Sequence, residues 1–507
     1  MKRGLVLLIL ILAISLSFGQ TKVNYKVFYS ENLQNEGLKI QVSFSSKKAS
    51  DSTYFQYSNE VWGETNLTNC LKFIEKENPK YRFKIVADSS RIVVYHPKEK
   101  SISFSYRIIQ DIKEEGFKSG YRPILQKEYF HILGQSLFIV PEEIFDGKID
   151  DPKITANIEW LNFSKNFLIH NTFGSQQLKQ NLKVKLWSEF YHSLFVGGDY
   201  RIKSFNYLKK PVYFAIRGKW LGEYTDDNLF EALKKTIPTQ REFWKDNDFD
   251  YYTVIITPTI TQTDSAYSGQ SITGTGVKNG FIIRSSNNPF NDFSTMKYIF
   301  NHEMMHDWIG GKISIKHEEL NYWFSEGFTD YYTYKNRLRN NDLTLKEWLD
   351  SFNTEVIKAH WENPERNKPN YVIKDDFWKS ENVEKIPYRR GAIFAFWLDN
   401  QILKKSNCTK SLDDLMRDIL KICTTENRKF TDELFLEIAQ KYLDKDIAYF
   451  FQKHIINGLD FELKNEDLID GFQIEYVEKV PKIVAEKEVL KKYFEIKNSC
   501  YLSYFLL

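Results

Sequence analysis

Short alternating or apolar runs dominate the first part of the chain. The segments Arg91–His96 and Ser101–Ile108 alternate or run apolar, and Pro97–Lys100 between them is turn-like. Similar runs recur at Ile158–Phe163 and Leu182–Trp187. Strands without long helical patterns between them predict an antiparallel β-sandwich in this region.

The pattern changes near Val196–Tyr200, after which strand-like and helix-like segments alternate. The predicted strands are Val212–Arg217, Tyr251–Thr257 and Gly280–Arg284, and the predicted helices are Asp227–Lys245, Ser294–Ile309 and Glu319–Arg337. From Leu343 to Glu466 the pattern is mostly helical, with helices at Gly391–Leu403, Lys410–Cys423 and Thr431–Tyr442.

These patterns predict a multidomain α+β protein. Its segments are a signal peptide (1–19), an N-terminal β domain (20–203), a mixed domain (204–342), a helical domain (343–476) and a C-terminal tail of unknown role (477–507).

The first 19 residues have the pattern of a secretory signal peptide. Lys2 and Arg3 precede a nearly continuous apolar stretch, and Ser17-Phe18-Gly19 offers small residues for cleavage before Gln20. The apolar stretch is short for a membrane span. We therefore expect a secreted or periplasmic protein whose mature chain does not cross a membrane.

Charge and cysteine content narrow the class further. A formal net charge of +3 over 507 residues gives no reason to expect nucleic acid as a partner. The four cysteines, Cys70, Cys408, Cys423 and Cys500, have neither zinc-ligand spacing nor the pattern of a disulfide framework. The sequence does not tell whether any pair is oxidised, nor the oligomeric state.

The most informative motif is His302-Glu303-Met304-Met305-His306. In a helix, residues four apart share a face, so both imidazoles can reach one metal ion while Glu303 faces a water beside it. Glu326, in Phe324-Ser325-Glu326-Gly327, supplies a third ligand. Two His and one Glu leave zinc an open fourth position, which is typical of catalytic sites. We predict one Zn²⁺ per chain.

Neighbouring residues complete the predicted chemistry. Glu303 is the expected general base for a zinc-activated water that attacks a carbonyl carbon. Asp330, four residues after Glu326, either orients a ligand histidine through its outer nitrogen or is a solvated helix acid. His317 is a nearby histidine that we do not expect to bind the metal. Tyr388, which follows Pro387, is a candidate donor to the oxyanion.

Taken together, these motifs resemble the gluzincin metallopeptidases of the aminopeptidase N family. The stretches Val196-Gly197-Gly198-Asp199-Tyr200, Ser325-Glu326-Gly327-Phe328-Thr329-Asp330 and Ile455-Ile456-Asn457-Gly458 are closer to the glycyl aminopeptidase relatives. The resemblance covers roughly residues 191–472. It implies an N-terminal β domain, a thermolysin-like catalytic domain and a C-terminal helical domain. It also implies that Tyr388 is the transition-state tyrosine.

Three departures from the family's pattern concern specificity and length. Asp307–Ser325 spans 19 residues, one more than in the relatives, and a loop insertion near Gly310-Gly311 would absorb it. The relatives carry a Glu upstream of the zinc helix that binds the substrate's free amine, whereas the matching stretch here reads Thr275-Gly276-Val277-Lys278-Asn279. The chain also ends too soon for the PDZ domain that glycyl aminopeptidase relatives usually carry.

The substitution at Lys278 predicts altered recognition of the N-terminus. An ammonium there would repel a substrate's free amine, which favours internal bonds, blocked N-termini or acidic substrates. Alternatively, Lys278 turns outward, and either Asn279 or an acid elsewhere binds the amine. The residues that we expect to contact substrate are Gly276, Lys278, Asn279 and Arg390.

The predicted function is hydrolysis of peptide bonds in a peptide or protein substrate by a zinc metallopeptidase. Whether it is an exo- or an endopeptidase, and which sequences it prefers, are left open. Two alternatives remain from the sequence: zinc-dependent hydrolysis of a non-peptide amide, and a degenerate member that binds peptides as a scaffold.

Overall fold

The computed structural model describes residues 22–112, 121–144, 155–183, 187–261, 269, 271–443, 446–487, 489 and 493–494 of the chain. The predicted signal peptide and Cys500 therefore lie outside the described residues. Among those described, the α+β prediction and the helical C-terminal region are confirmed. The finer layout, a sandwich followed by a thermolysin-like domain, stays a prediction, as do the domain boundaries.

The chain divides into two compact units. The first consists mainly of residues up to Asp111, Tyr121–Ile169 and Gln176–Ser193, and the second mainly of the chain from Leu194 onward. An eight-stranded sheet belongs to the first unit, and a five-stranded sheet formed by the strands after residue 200 belongs to the second.

The first part of the chain is rich in strands. They are β1 (Lys22–Phe28), β2 (Leu38–Gln56), β3 (Glu60–Val61), β4 (Glu64–Thr65), β5 (Leu71–Lys72), β6 (Arg82–Val86), β7 (Arg91–Ile108), β8 (Ile124–Leu125), β9 (Tyr129–Leu133), β10 (Val140–Pro141), β11 (Thr155–Leu161), β12 (Leu168–Asn171), β13 (Gly174–Ser175), β14 (Lys179–Lys183) and β15 (Leu194–Gly198). Three short helices accompany them: α1 (Leu33–Glu36), α2 (Gly134–Leu137) and α3 (Trp187–Tyr191).

The main sheet of the first unit has the order β14-β11-β1-β2-β7-β5. Its pairs are antiparallel except for β1 and β11, which run parallel. Strand β1 alternates exposed and buried side chains, with Val23, Tyr25 and Val27 buried. This period of two is what a sheet with one covered face requires.

The second unit contains a five-stranded mixed sheet. Its strands are β16 (Arg201–Tyr207), β17 (Lys210–Ile216), β18 (Tyr252–Thr261), β19 (Ile272–Val277) and β20 (Gly280–Asn287). The order is β16-β17-β18-β20-β19, with the three central strands parallel and both outer strands antiparallel to their neighbours. Strand β19 is therefore an edge of this sheet.

Helices make up most of the remainder. They are α4 (Asp226–Trp244), α5 (Phe293–Met305), α6 (Tyr322–Ser325), α7 (Gly327–Arg339), α8 (Leu345–Ser351), α9 (Ala359–Trp361), α10 (Asn370–Asp376), α11 (Glu381–Lys405), α12 (Leu412–Thr425), α13 (Asp432–Tyr442) and α14 (Asp446–Phe451). Two π-helical segments, Phe352–Lys358 and Gln452–Ile456, extend α8 and α14.

Helix α5 is fixed at its start and buried along one side. Asp292 caps it, because its carboxylate accepts a hydrogen bond from the Thr295 amide at 2.7 Å. Met296, Phe300 and Met304, four residues apart, all belong to the second unit's hydrophobic core. Burial of this stripe presents the opposite side of the helix, with His302, away from that core.

Several helix boundaries differ from those expected. Helix α11 begins at Glu381, ten residues before the predicted start, and Pro387 lies inside it. The predicted helix Glu319–Arg337 is divided into a 3₁₀ turn (Glu318–Leu320), α6 and α7. The 3₁₀ turn begins after His317, whose positive φ of 55° interrupts any longer helix.

A β-hairpin spans the boundary between the predicted helical domain and the predicted C-terminal tail. Strands β21 (Phe472–Val477) and β22 (Val480–Ala485) form an antiparallel hairpin. The side-chain amide of Asn353 donates to the Ile483 carbonyl at 2.8 Å and accepts from the Ile483 amide at 2.8 Å. This hairpin therefore packs on the helical part of the second unit.

The described residues also bear on the expectations about membrane spans and cysteines. Within this part of the protein, every helix is too short or too polar to span a bilayer. Cys70, Cys408 and Cys423 are free thiols.

Candidate metal centre

Three side chains converge in the second unit. The Nε2 atoms of His302 and His306 are 3.3 Å apart, and Glu326 Oε2 lies 3.3 Å from the first and 3.8 Å from the second. Ligand atoms about 2.0–2.2 Å from zinc in a tetrahedral shell are about 3.3–3.6 Å from one another. The three atoms are thus spaced as one zinc ion would require.

The partners of the two histidines show which nitrogen faces this point. His306 Nδ1 lies 3.2 Å from the Ile309 carbonyl oxygen, which can only accept, so Nδ1 carries the proton. His302 Nδ1 lies 2.9 Å from Asp330 Oδ1, where a carboxylate likewise favours a proton on Nδ1. Both Nε2 atoms then present lone pairs toward Glu326. Two nitrogen lone pairs and a carboxylate oxygen that face one another repel, and a bound cation would relieve this repulsion.

The electrostatics of the group also favour a cation. Burial raises the pKa of Glu326, but His306, His302 and Tyr388 outweigh it and lower the pKa to about 2. Burial lowers the pKa of His302, yet Asp330 and Glu326 raise it well above the ordinary value. Burial lowers the pKa of His306 and so keeps that imidazole neutral, whereas the carboxylates around His302 favour positive charge at the place where the three ligand atoms meet.

Asp330 is buried, with 7% of its surface exposed, so it is not a solvated helix acid. Tyr298 donates a short hydrogen bond to the same Asp330 oxygen that faces His302. Tyr298 precedes His302 by four residues on α5, and Asp330 follows Glu326 by four residues at the start of α7. Each pair shares a helix face, which is the sequence signal that could have identified Tyr298.

Glu303 lies on the side of α5 that faces strand β19. A Cβ placed on Gly274 would come within 2.1 Å of Glu303 Oε1, so the carboxyl occupies the space that the glycine leaves. Burial, together with the charges of Glu326 and Asp330, raises the pKa of Glu303 to about 8, although His302 opposes the shift. A carboxyl with such a pKa can take up a proton near neutral pH.

Tyr388 reaches the group from α11. Its hydroxyl is close enough for the charge of Glu326 to act on it, and its ring centroid lies 6.2 Å from that of His302 at an interplanar angle of 16°. Burial, followed by the charges of Glu326 and Asp330, raises the pKa of Tyr388 well above its ordinary value. The hydroxyl therefore stays protonated and can act as a donor.

Two glycines explain how α11 comes so close. A Cβ on Gly327, at the start of α7, would lie 2.5 Å from the Gly391 Cα, and a Cβ on Gly391 would lie 2.0 Å from the Trp323 carbonyl oxygen. No other residue fits at either position without displacement. The close approach of the two helices places Tyr388, one helical turn before Gly391, beside Glu326.

The predicted substrate residues are distributed differently. Gly276 lies on β19, where an added Cβ would be 3.2 Å from His306 Cβ. Lys278 and Asn279 form the turn between β19 and β20, beyond the strand itself. The Asn279 side chain donates to the Thr172 carbonyl at 3.0 Å. The expectation that these residues contact substrate stays a prediction.

Arg390 is engaged with main-chain carbonyls. Its guanidinium donates to Arg366, to Lys368 at 2.7 Å and to Ile455 at 3.4 Å. Burial lowers the pKa of Arg390 to about 10. These contacts hold segments of the helical region together, and a substrate contact by Arg390 stays a prediction. His317, by contrast, is exposed and lies 3.6 Å from Glu319, away from the three ligands.

Comparison with known proteins shows which solved structures share this fold. Neither the protein-family models nor the curated sequences give a match to this chain. Among solved structures, an aminopeptidase N family protein from Idiomarina loihiensis aligns over 90% of this chain and 79% of its own, with a TM-score of 0.72 and 15% identity. An M1 zinc metallopeptidase from Deinococcus radiodurans aligns over 87% and 95%, with a TM-score of 0.53 and 10% identity.

A variant of the Deinococcus radiodurans protein, bound to a Tyr-Ser-Ala substrate, aligns with a TM-score of 0.51 and 11% identity over 87% of this chain and 95% of its own. At such identities the likeness is one of fold. It confirms at that level the resemblance that the motifs indicate. The chain has the fold of the aminopeptidase N family and the M1 zinc metallopeptidases.

Proposed function

We propose that this chain is a zinc-dependent metallopeptidase that hydrolyses peptide bonds. The observation that carries the proposal is the convergence of His302 Nε2, His306 Nε2 and Glu326 Oε2 at zinc spacing. The substrate bound to the Deinococcus radiodurans variant is a peptide, which supports the same class of substrate here.

The residues around the three ligands suit this chemistry. Zinc held by them would polarise the scissile carbonyl and make a water molecule more acidic. Glu303 would accept the proton of that water and deliver it to the leaving amine. Tyr388 would donate a hydrogen bond to the oxygen that becomes negatively charged in the transition state. Asp330 and the Ile309 carbonyl would keep both imidazoles oriented.

Recognition of the N-terminus forms the finer part of the proposal. Strand β19, which passes the zinc helix, reads Ile272-Thr273-Gly274-Thr275-Gly276-Val277 and carries no carboxylate. An enzyme that anchors its substrate's amine on this strand would need one. We therefore propose that recognition of the substrate's N-terminus differs from that of the related aminopeptidases. The predicted repulsion by Lys278 is one form that this difference could take.

The test combines metal content with a peptide-library digest. Wild-type protein should bind about one zinc and cleave a mixed peptide library in a chelator-sensitive way, as read by mass spectrometry. His306→Ala should lose most of the metal, because it removes one of three protein ligands. His317→Ala is the matched control and should keep both zinc and activity. Stoichiometric zinc in His306→Ala, or no cleavage by zinc-loaded wild type, would refute the proposal.

A further inference from the structure

Glu318 is an exposed carboxylate next to the candidate metal centre. It begins the 3₁₀ turn Glu318–Leu320, which leads into α6 and Glu326. A Cβ on Gly310 would lie 3.9 Å from Glu318 Oε1. Because Gly310 follows His306 by only four residues, the carboxyl lies over the loop that leaves the zinc helix.

Glu318 interacts electrostatically with two of the metal ligands, Glu326 and His306. Partial burial of its carboxyl and the negative charge of Glu326 raise the pKa of Glu318, and His306 opposes the shift. Tyr322, on the next turn, is within electrostatic range of both Glu318 and Glu326. Together with the position of the carboxyl beside Gly310, these influences place Glu318 near the metal ligands.

No lysine or arginine neutralises this carboxylate among the residues that the structure describes. The ion pairs found there include none to Glu318, whereas the adjacent Glu319 lies 3.6 Å from His317 Nδ1. The other acids at the centre have partners or roles of their own. Glu326 faces the histidines, Asp330 accepts from Tyr298 and faces His302, and Glu303 lies against Gly274.

Strand β19 contributes no negative charge of its own. Strand β19 meets the zinc helix through Gly274 and Gly276, and none of its six residues is ionisable. Apart from Glu303, which is buried against Gly274, a peptide lying between β19 and the metal would thus meet one carboxylate, that of Glu318, with no lysine or arginine partner among the described residues. An exposed and unpaired charge beside a reactive centre favours a ligand of opposite sign.

We propose that Glu318 binds a positively charged group of the peptide substrate and so determines specificity. The inference rests on the proposed peptidase function. An ammonium can come from two parts of a peptide: its free N-terminus or the side chain of a basic residue near the cleaved bond. Glu318 is thus a specificity determinant and takes no part in the proton transfers assigned to Glu303.

The first experiment compares Glu318→Gln with its matched neighbour, Glu319→Gln. The substrates are a peptide amide with a free amine, its N-acetylated form, and acetylated peptides that differ by lysine or norleucine beside the cleaved bond. Glu318→Gln should lower kcat/KM for one ammonium-bearing substrate about tenfold, mainly through KM, and leave the uncharged ones unchanged. Which pair responds tells whether the ammonium is the N-terminus or a side chain. Glu319→Gln should change neither.

The second experiment measures binding without turnover. In a zinc-loaded Glu303→Gln background, calorimetry compares the free-amine peptide, its acetylated form and the lysine and norleucine pair. The charged member of one pair should bind more tightly, and adding Glu318→Gln should abolish that difference. Rising ionic strength should weaken it in the same way, because salt screens an exposed charge pair.

The failures of the two proposals are distinguishable. If zinc-loaded wild type hydrolyses none of the peptides and binds none, the proposed function is wrong. If wild type is active but Glu318→Gln treats charged and uncharged substrates as wild type does, the inference about Glu318 is wrong. A change of preference in Lys278→Glu together with none in Glu318→Gln would instead assign recognition to the β19–β20 turn.

Discussion

Glu303 is buried, and its carboxyl has no ion-pair or hydrogen-bonding side chain among the residues that the structure describes. Its carboxyl lies against the main chain at Gly274, and its pKa is raised to about 8, chiefly by burial. The charged form is therefore costly, which makes the group ready to accept a proton when a substrate and a water are present. The same position makes a conservative substitution informative.

Glu303→Gln should keep zinc and lose turnover. The amide has nearly the same shape but cannot accept the proton, a role usually worth about 10²–10⁴-fold in rate. Zinc content by elemental analysis and kcat on a peptide substrate check this together. Near-normal hydrolysis by the variant would remove Glu303 from the mechanism.

Tyr388 is expected to act in the transition state alone. Tyr388→Phe should lower kcat about 10²–10³-fold and change KM much less, because one oxyanion donor is lost while the ring remains. Tyr371→Phe is a suitable control, since Tyr371 is 65% exposed on α10. An unchanged kcat in Tyr388→Phe would contradict the assignment.

Much of the site could be predicted from spacing within helices. His302 and His306, and likewise Glu326 and Asp330, are related by four residues, which fixes a shared face without any knowledge of the fold. Gly274 could not be identified in this way, because its contact with Glu303 joins a strand to a helix. Glu318 could not be identified either, since it lies outside the helices that carry the ligands. Lys278 was matched to the strand by its position in the sequence, but it belongs to the turn.

At the level of elements, the contact between α7 and α11 determines how the tyrosine meets the metal ligand. Both helices have a glycine where they cross, Gly327 and Gly391, so their backbones meet without intervening side chains. Trp323 on α6 lies in the same contact through its carbonyl. Separation of the helices would move Tyr388 away from Glu326.

Gly391→Ala tests this contact. The new Cβ would stand 2.0 Å from the Trp323 carbonyl oxygen, so α11 must shift. We expect a loss of about 1–3 kcal/mol in the free energy of unfolding, typical of overpacking, together with a lower kcat. Denaturant unfolding and steady-state kinetics measure the two effects.

The control for this prediction is Ala392→Gly, on the adjacent position of the same helix. It should cost about 1 kcal/mol through helix propensity but adds no atom at the crossing. If Ala392→Gly loses comparable stability but keeps a normal kcat, the lower kcat of Gly391→Ala comes from the displaced helix and not from lost stability. If Gly391→Ala keeps normal kcat, the crossing does not position Tyr388.

The helices themselves were predicted more reliably than their ends. Helix α12 was expected at Lys410–Cys423 and is found at Leu412–Thr425, because its apolar face is regular. The start of α11 was missed, since Pro387 suggested a boundary and instead lies within the helix. The hairpin β21–β22 was also missed, and its attachment to Asn353 involves a residue far away in sequence.

On the scale of the whole second unit, buried charges connect the site helices to the helical region. Lys335 on α7 is fully buried and forms ion pairs with Asp399 on α11 and, at 3.4 Å, with Asp413 on α12. Arg339 pairs with Asp413 at 2.5 Å, so two cations and two carboxylates compensate one another. Such a network is costly to break from one side only.

Zinc bound to the three ligands should stabilise the second unit against unfolding. The three ligands come from α5 and the α6–α7 junction, so the ion joins elements that are far apart in sequence. A ligand that binds only the folded state stabilises it by about 4 kcal/mol at a concentration a thousandfold above its Kd. Calorimetry of chelated and zinc-loaded protein should show a raised Tm.

His306→Ala provides the control, because its Tm should hardly respond to added zinc. Magnesium should not replace zinc for wild type, since Mg²⁺ prefers an octahedral set of oxygen ligands. An equal response of wild type and His306→Ala would mean that zinc stabilises the protein at another place.

The glycines at the metal centre also limit how the gene can change. A single nucleotide substitution in a glycine codon yields another glycine codon, a stop, or a residue that bears a Cβ. At Gly274, Gly327 and Gly391 a Cβ would meet other atoms at 2.0–2.5 Å. In a library of random variants selected for activity, these three positions should therefore be as intolerant as His302 and His306, although they contribute no functional group. Selection for activity would keep these glycines because neighbouring atoms occupy the space that a side chain would need.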